Sequence, residues 1–214
     1  MNEICQMNVL VVAATKFEID NLVNRDNSPD VLITGVGVPA TIFRLSEKLF
    51  QKKYDLVIQA GIAGTFTDDL PLAGVVMVEK DTFGDLGIDE KGSFKTLFET
   101  GFANENDFPF IDGWLLNPHE YFKHPTLPVV KGITVNKITD DGIQINRIAE
   151  KFAPGVESME GAAFHYICLQ QKINFLQLRS ISNVVGERDK AKWKMKEAIT
   201  NLNIELTKLV QNFT

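Results

Sequence analysis

The sequence has few of the residues that build disulfide frameworks and metal centres. Its 214 residues include two cysteines and three histidines. Cys5 and Cys168 are far apart and match no CxxC or other metal-ligand spacing, so we interpret them as free thiols of a reducing compartment. His119 and His124 stand in NPHEYFKHP, which lacks the helical spacing of a zinc site, and His165 lies in an apolar helical stretch where a structural role is expected.

Long apolar runs and dense positive charge are also missing. No apolar stretch reaches the roughly 18 residues of a membrane-spanning helix, and the start MNEICQMNVLVV has neither a basic region nor a cleavage site of small residues. The net charge is −6. The most basic stretch, at 189–197, has helical spacing and acidic residues at both ends, which is typical of a solvated helix face. We therefore predict a cytoplasmic protein without membrane or nucleic-acid partners.

The composition that remains is that of a globular protein. Hydrophobic residues make up 44% and charged residues 23% of the chain, which is enough apolar material for a substantial core. No linker rich in proline or serine and no internal repeat divides the sequence. We expect one domain over residues 1–214.

Apolar runs of strand length alternate with stretches of helical period. Strands are predicted at 8–14, 31–37, 55–61, 74–80, 129–135 and 174–182, and helices at 16–23, 39–52, 158–171 and about 190–210. This alternation predicts an α/β fold, a three-layer α/β/α arrangement with a central mixed, mostly parallel sheet. The segment 81–128 lacks a sustained period, and we interpret it as loops over the ligand site, with short strands possible inside it.

Residues that follow the strands are the candidates for a site, because ligands of open α/β sheets bind beyond the carboxyl ends of the strands. The turns TGVGVPA (34–40) and QAGIAGTF (59–66) do not complete GxGxxG after the first strand, which argues against NAD. Their glycines serve either tight turns or a close approach of the backbone to a ligand. Glu18 alone would be read as a surface residue. Glu160 opens an apolar helix, where its carboxylate either caps the backbone or binds ligand hydroxyls.

Two later segments carry a family resemblance. VESMEGAAF (156–164) followed by RSISNVVGERD (179–189) is similar to the paired signature of the nucleoside phosphorylase and nucleosidase superfamily. Its members have a helix-opening Met-Glu pair and then a strand that ends in Arg-x-Ile-Ser-Asp or Arg-x-Ile-Ser-Asn. VVAATKFEID and QAGIAGTF fall in the matching order, so the resemblance covers nearly the whole chain.

The resemblance implies roles for particular residues. Glu18 would activate water, Glu160 would bind the ribose hydroxyls, and Asn183 would face the purine. The resemblance also implies a set of substrate-binding residues, namely Gly61, Ile62, Met159, Arg179 and Ser182. N-glycosidic cleavage passes through an oxocarbenium-like sugar, so it needs a positioned water and carboxylates but neither a metal ion nor an organic cofactor.

Two positions favour water over phosphate as the nucleophile. Phosphorylases of the superfamily line their phosphate site with arginines and a hydroxyl, and one such arginine and the hydroxyl correspond to Gln59 and Ile62. An isoleucine has no hydrogen-bonding group for a phosphate oxygen, and glutamine carries no charge. The resemblance therefore implies a hydrolase.

Asn183 points to a 6-oxopurine. Adenine-releasing relatives carry aspartate there, whose carboxyl group donates a proton toward N7, whereas an amide NH₂ donates to O6 and N7. With FGDLGIDEKGSF (83–94), this pattern resembles the futalosine hydrolase family, which splits futalosine into hypoxanthine and dehypoxanthinylfutalosine in menaquinone biosynthesis. Unlike several relatives, the chain has no phenylalanine around 137–140 to stack on the base. The candidate aromatic residues for the aryl carboxylate tail of the substrate are Phe83, Phe94, Phe102, Phe108 and Trp114.

Other functions remain open on the sequence alone. The nearest is another purine nucleosidase or phosphorylase, acting on inosine or methylthioadenosine, and a non-catalytic purine-nucleoside sensor is a second. Relatives are commonly homo-oligomers, and the phenylalanine-rich segment 83–122 leads us to expect the same here.

Overall fold

The computed structural model describes residues 7–23, 29–118 and 127–213. Its strands are β1 Val9–Ala13, β2 Asp30–Ile33, β3 Leu56–Thr65, β4 Val75–Asp81, β5 Gly87–Glu90, β6 Ser93–Thr96, β7 Leu115–Leu116, β8 Val129–Thr134, β9 Val156–Ser158 and β10 Asn174–Val184. Its helices are α1 Lys16–Val23, α2 Val38–Gln51, α3 Gly142–Phe152, α4 Gly161–Gln171 and α5 Met195–Gln211.

The sheet is mixed and mostly parallel, as predicted. Within the described residues, an eight-stranded sheet runs in the order β10-β4-β8-β9-β3-β1-β2, with β7 on β4. Because β10 also pairs with β3, the strands from β3 through β9, β8 and β4 to β10 close into a barrel. β1, β3 and β10 are parallel, so their carboxyl ends meet at one edge.

Helices cover both faces of the sheet and make the three layers. Alternate residues of a strand point to opposite faces, and β1 shows this directly. Val9 and Val11 pack in a core cluster with residues of α1 and α5, including Leu202. Leu10 packs in another with residues of α2 and α4, including Phe164. The near-continuous apolar run of β1 is therefore explained by burial on both faces.

The structure differs from the sequence prediction mainly in its middle. The sequence pattern did not indicate α3, whose N-cap Asp141 accepts the Ile143 N–H at 2.9 Å. Within 81–128, β5 and β6 form an antiparallel hairpin. The last helix is interrupted, because a 3₁₀ turn at Lys190–Lys192 precedes α5. No helix of the described segments is long and apolar enough to cross a membrane.

Candidate active site

A cavity of about 320 Å³ opens at the carboxyl edge of the sheet. It is lined by residues at and just beyond the carboxyl ends of β1, β3, β9 and β10, which is where the sequence placed the site. Of the predicted site residues, the lining contains Glu18, Ile62, Met159, Glu160, Ser182 and Asn183. Gly61 and Arg179 lie directly behind this wall, next to the two glutamates.

Glu18 is held in a fixed position by the backbone. Its Oε2 accepts the Thr15 N–H at 2.9 Å and the Thr15 hydroxyl at 3.0 Å, and its Oε1 accepts the Ile62 N–H at 3.1 Å. The side chain is only 7% exposed. The next residue, Ile19, leaves the helical conformation with φ −131°, so α1 bends where the carboxylate turns into the cavity.

Glu160 is buried and does not cap its own helix. Its Oε1 accepts the Gly37 N–H at 3.0 Å, and its Oε2 lies 3.8 Å from Arg179 Nη2. Gly37 has φ +94°, a conformation open to glycine, so this turn directs an N–H group to the carboxylate. Burial raises the pKa of Glu160, and the charge of Glu18 also raises it. The charge of Arg179 and the hydrogen bond from the Gly37 N–H lower it.

Arg179 supports the carboxylate from behind. It is 1% exposed, and its Nη2 donates to Gln59 Oε1 at 2.9 Å. Gln59 is likewise buried and does not line the cavity. Gln59, which the resemblance places at the position of a phosphate-binding arginine, therefore positions the buried guanidinium of Arg179. The Ile62 backbone N–H donates to Glu18 Oε1, and Ile62 also lines the cavity.

Gly61 is required by close packing between Arg179 and Glu18. A Cβ at this position would lie 2.2 Å from Arg179 Nη1 and 3.0 Å from Glu18 Oε1. We expect Gly61→Ala to destabilise the fold by about 1–3 kcal/mol, as overpacking does, and to lower activity by displacing both groups. Thermal unfolding and turnover measure the two effects. Gly142→Ala is the matched control, because a Cβ there meets nothing within 4 Å; equal effects in both variants would contradict the assignment.

A buried polar cluster fixes the start of α4 and so the Met159-Glu160 pair. The Thr134 hydroxyl donates to Asp81 Oδ1 at 2.9 Å and accepts the Ala162 N–H at 2.7 Å. Burial raises the pKa of Asp81 to about 6. A Cβ on Gly161 would lie 2.1 Å from Asp81 Oδ2. Position 161 therefore has to be glycine for the start of α4 to pack against Asp81.

A β-bulge presents Asn183 to the cavity. The pairing of β10 with β3 shifts register between Ile181 and Asn183, and bulges of this kind redirect side chains. Asn183 Nδ2 donates to the Val184 carbonyl at 2.8 Å, which sets the amide orientation, and the Ser182 hydroxyl donates to Asn183 Oδ1 at 2.7 Å. Ser182 Oγ also lies 3.2 Å from the Ala63 carbonyl. The second amide N–H remains for a ligand.

The cavity has further lining residues that the sequence did not single out. Phe17 and Trp193 supply aromatic surface, Ile138 and Val36 supply apolar surface, and Glu157 adds a carboxylate. Burial raises the pKa of Glu157 to about 7, and the charge of Asp85 contributes to this rise. Phe17 lies on α1 and is 61% exposed, because it faces the cavity and not the core.

The aromatic residues proposed for the substrate tail lie elsewhere. None of Phe83, Phe94, Phe102, Phe108 and Trp114 lines the cavity of Glu18 and Glu160. Phe83 and Trp114 line a separate cavity, because the described part of 81–128 packs against α3 and α4 and not over the carboxyl edge. The prediction that this segment covers the ligand site is wrong for its described residues. His119 and His124 lie outside the described residues.

His165 is placed in the core. It is fully buried on α4, its Nδ1 lies 2.9 Å from the Leu115 carbonyl, and its ring packs at 4.7 Å from that of Phe175. Burial lowers its pKa to about 4, so the ring is neutral at physiological pH.

The mixed sheet with flanking helices and the two buried glutamates at its carboxyl edge define a nucleoside-cleaving class of enzyme. The chain belongs to the Phosphorylase superfamily, whose family model matches residues 27–213. Within it, the chain is 30% identical over 175 residues to the futalosine hydrolase of Thermus thermophilus, covering 80% of this chain and 76% of the relative.

Other relatives agree with this class. A 5'-methylthioadenosine/S-adenosylhomocysteine nucleosidase of Tolumonas auensis is 26% identical over 192 residues, covering 86% of this chain and 80% of the relative. The crystal structure of the futalosine hydrolase of Helicobacter pylori superposes with a TM-score of 0.78 at 13% identity, covering 95% and 97% of the two chains. The chain is an N-glycosyl hydrolase.

Proposed function

We propose that the enzyme hydrolyses the N-glycosidic bond of futalosine, releasing hypoxanthine and dehypoxanthinylfutalosine, and that it acts in menaquinone biosynthesis. The observation that carries the proposal is the arrangement of Glu18, Glu160 and Asn183 around one cavity. The Thermus thermophilus relative named futalosine hydrolase supports the same substrate.

Glu18 is the group that activates water. Three donors already bind its carboxylate, two on Oε2 and one on Oε1. A carboxylate oxygen has two lone-pair sites, so Oε1 retains one for a water molecule. That water attacks the anomeric carbon as its bond to the purine breaks, and Glu18 takes the proton.

Glu160 binds the ribose. Gly37 occupies one acceptor site of its carboxylate and Arg179 lies beyond hydrogen-bond distance at 3.8 Å. The remaining lone pairs accept hydrogen bonds from the ribose hydroxyls, with Met159 packed under the sugar. Its negative charge is close to the sugar when the oxocarbenium character develops, so the interaction strengthens in the transition state.

Asn183 assists the departing base. Its free N–H donates to N7 or O6 of a 6-oxopurine, where negative charge develops as the bond breaks. A departing adenine needs a proton at N7. Because an amide has no acidic proton to give, we expect slower release of adenine than of a 6-oxopurine. This favours futalosine over methylthioadenosine among the substrates of the named relatives.

Water is the nucleophile because the groups beside Glu18 and Glu160 offer phosphate little. Gln59 is buried behind the wall, Ile62 presents an apolar side chain, and Arg179 interacts with Glu160 and Gln59. A phosphate dianion beside Glu18 and Glu160 would also be repelled.

Asn183→Asp should shift the base preference. We expect kcat/KM for futalosine to fall about 10- to 100-fold, the usual effect of one hydrogen bond to a developing charge, and release of adenine from methylthioadenosine to rise. Product chromatography with both substrates measures the change. Asn146→Asp, an exposed change on α3, is the control; unchanged preference in the Asn183 variant would contradict the role.

The proposal is tested by product analysis with futalosine, inosine and methylthioadenosine, each with and without phosphate. Hypoxanthine release from futalosine, much faster than from inosine and independent of phosphate, is the expected result. A sugar 1-phosphate product would establish a phosphorylase, and cleavage of methylthioadenosine instead would replace the substrate. Binding without turnover of any of the three would indicate a sensor.

We further propose that the enzyme is a cytoplasmic homo-oligomer. Phe43 and Phe50, seven residues apart on α2, are 65% and 83% exposed, and Phe102 is 73% exposed. Exposed aromatic surface of this kind marks subunit contacts. Light scattering at micromolar concentration is expected to give a mass above 23.9 kDa, and a monomer would refute the assembly.

A further inference from the structure

Arg188 is the one cationic residue among the described residues that line the cavity of Glu18 and Glu160. The other charged lining residues, Glu18, Glu157, Glu160 and Glu187, are all acidic. Under the proposed function, the substrate brings an aryl carboxylate into this surrounding. An anion that enters a cavity lined by carboxylates is repelled unless a cation faces it.

The two acidic neighbours of Arg188 in the sequence, Glu187 and Asp189, form hydrogen bonds within their own loop. The Glu187 carboxylate accepts Lys192 Nζ at 2.7 Å and the Asp189 N–H at 2.8 Å. Asp189 Oδ1 accepts the Ala191 N–H at 3.0 Å, and Trp193 Nε1 donates to the Glu187 carbonyl at 3.0 Å. These bonds hold residues 187–193 in a compact turn at the rim.

The Arg188 side chain takes no part in these bonds. No hydrogen bond or ion pair joins its guanidinium to another residue in the described ranges, and it is exposed. A guanidinium presents N–H donors in a planar fork that matches a carboxylate. Lys192, four residues further along, lacks this freedom because it is paired with Glu187, and Lys190 does not line the cavity.

We propose that Arg188 binds the aryl carboxylate of the substrate tail, and that it thereby selects nucleosides with an anionic tail. The inference rests on the proposed function. The rings of Phe17 and Trp193, in the same cavity, offer apolar faces for the aryl group between the ribose and that carboxylate.

The experiment compares Arg188→Gln with the wild-type enzyme on three substrates. These are futalosine, its methyl ester, whose tail is neutral, and inosine, which lacks the tail. We expect kcat/KM for futalosine to fall about 10- to 100-fold, as for a lost hydrogen bond to a charged group, and to change less than about twofold for the other two. Arg188→Lys should recover part of the loss, because it keeps the charge without the fork.

The control is Arg147→Gln, which removes an arginine paired with Asp89 at 3.3 Å, outside the cavity. An equal loss on futalosine and its methyl ester in Arg188→Gln would overturn the inference, because Arg188 would then act on the base or the fold. Unchanged kinetics on futalosine would overturn it as well. Wild-type enzyme that leaves futalosine intact would refute the proposed function itself and this inference with it.

Discussion

Replacing Glu18 by Gln should lower kcat by about 10²–10⁴, the usual contribution of a general base. Glutamine keeps the size of the side chain and one acceptor oxygen. It cannot take a proton from water, and its NH₂ group would face one of the donors now bound by the carboxylate, the Thr15 N–H or the Ile62 N–H. Single-turnover kinetics with futalosine measure the chemical step directly.

A matched control separates chemistry from folding. Glu150→Gln makes the same change on an exposed residue of α3 and should leave kcat unchanged. Thermal unfolding of the Glu18 variant should remain within a few degrees of the wild type. Wild-type turnover in the Glu18→Gln enzyme would refute its role as the base.

Glu160→Gln should lower kcat/KM by about 10²–10³, the size of effect seen when one preorganised electrostatic group is removed from a site. The amide retains an acceptor for the Gly37 N–H. It loses the negative charge that faces the sugar and the ionic contact with Arg179. Steady-state kinetics with Glu47→Gln, an exposed change on α2, as control measure the loss.

The pH profile gives an independent measurement of the same carboxylate. Burial raises the pKa of Glu160 and the charge of Glu18 raises it further, so its proton binds at a higher pH than for an ordinary glutamate. Activity that needs the ionised form therefore falls on the acid side, starting above the usual glutamate range. In the Glu18→Gln enzyme, loss of the neighbouring charge should move this limb to lower pH. An acid limb that stays in place would show that another group titrates.

Most of the layered fold follows from patterns that are visible in the sequence. β1 is a continuous apolar run because both of its faces are covered, and β3 and β10 are buried along most of their length in the same way. The sequence analysis did not indicate α3, although its apolar side chains are gathered on one face. The helix lies at the surface, where none of its residues is fully buried.

The site was predictable only in part, because sequence motifs specify chemistry and not placement. Glu160 and Asn183 carry recognisable neighbours, whereas Phe17 and Trp193 are single aromatic residues that resemble core positions until their exposure is known. The prediction that segment 81–128 covers the ligand site was wrong for its described residues for the same reason. Its phenylalanines indicate that the segment packs against another part of the fold. The pairing of β7 with β4 determines which part that is.

The position of Trp193 in the cavity wall has a consequence for its fluorescence. The sequence contains two tryptophans, and they lie in different surroundings. Trp114 is outside the cavity, with the ammonium groups of Lys80 and Lys131 at 4.8 and 5.8 Å from its ring centroid, whereas the Trp193 indole lies in the cavity wall, bonded to Glu187. Its emission therefore reports occupancy of the cavity, and in a Trp114→Phe background the arrival of a nucleoside can be followed by fluorescence before any bond is broken.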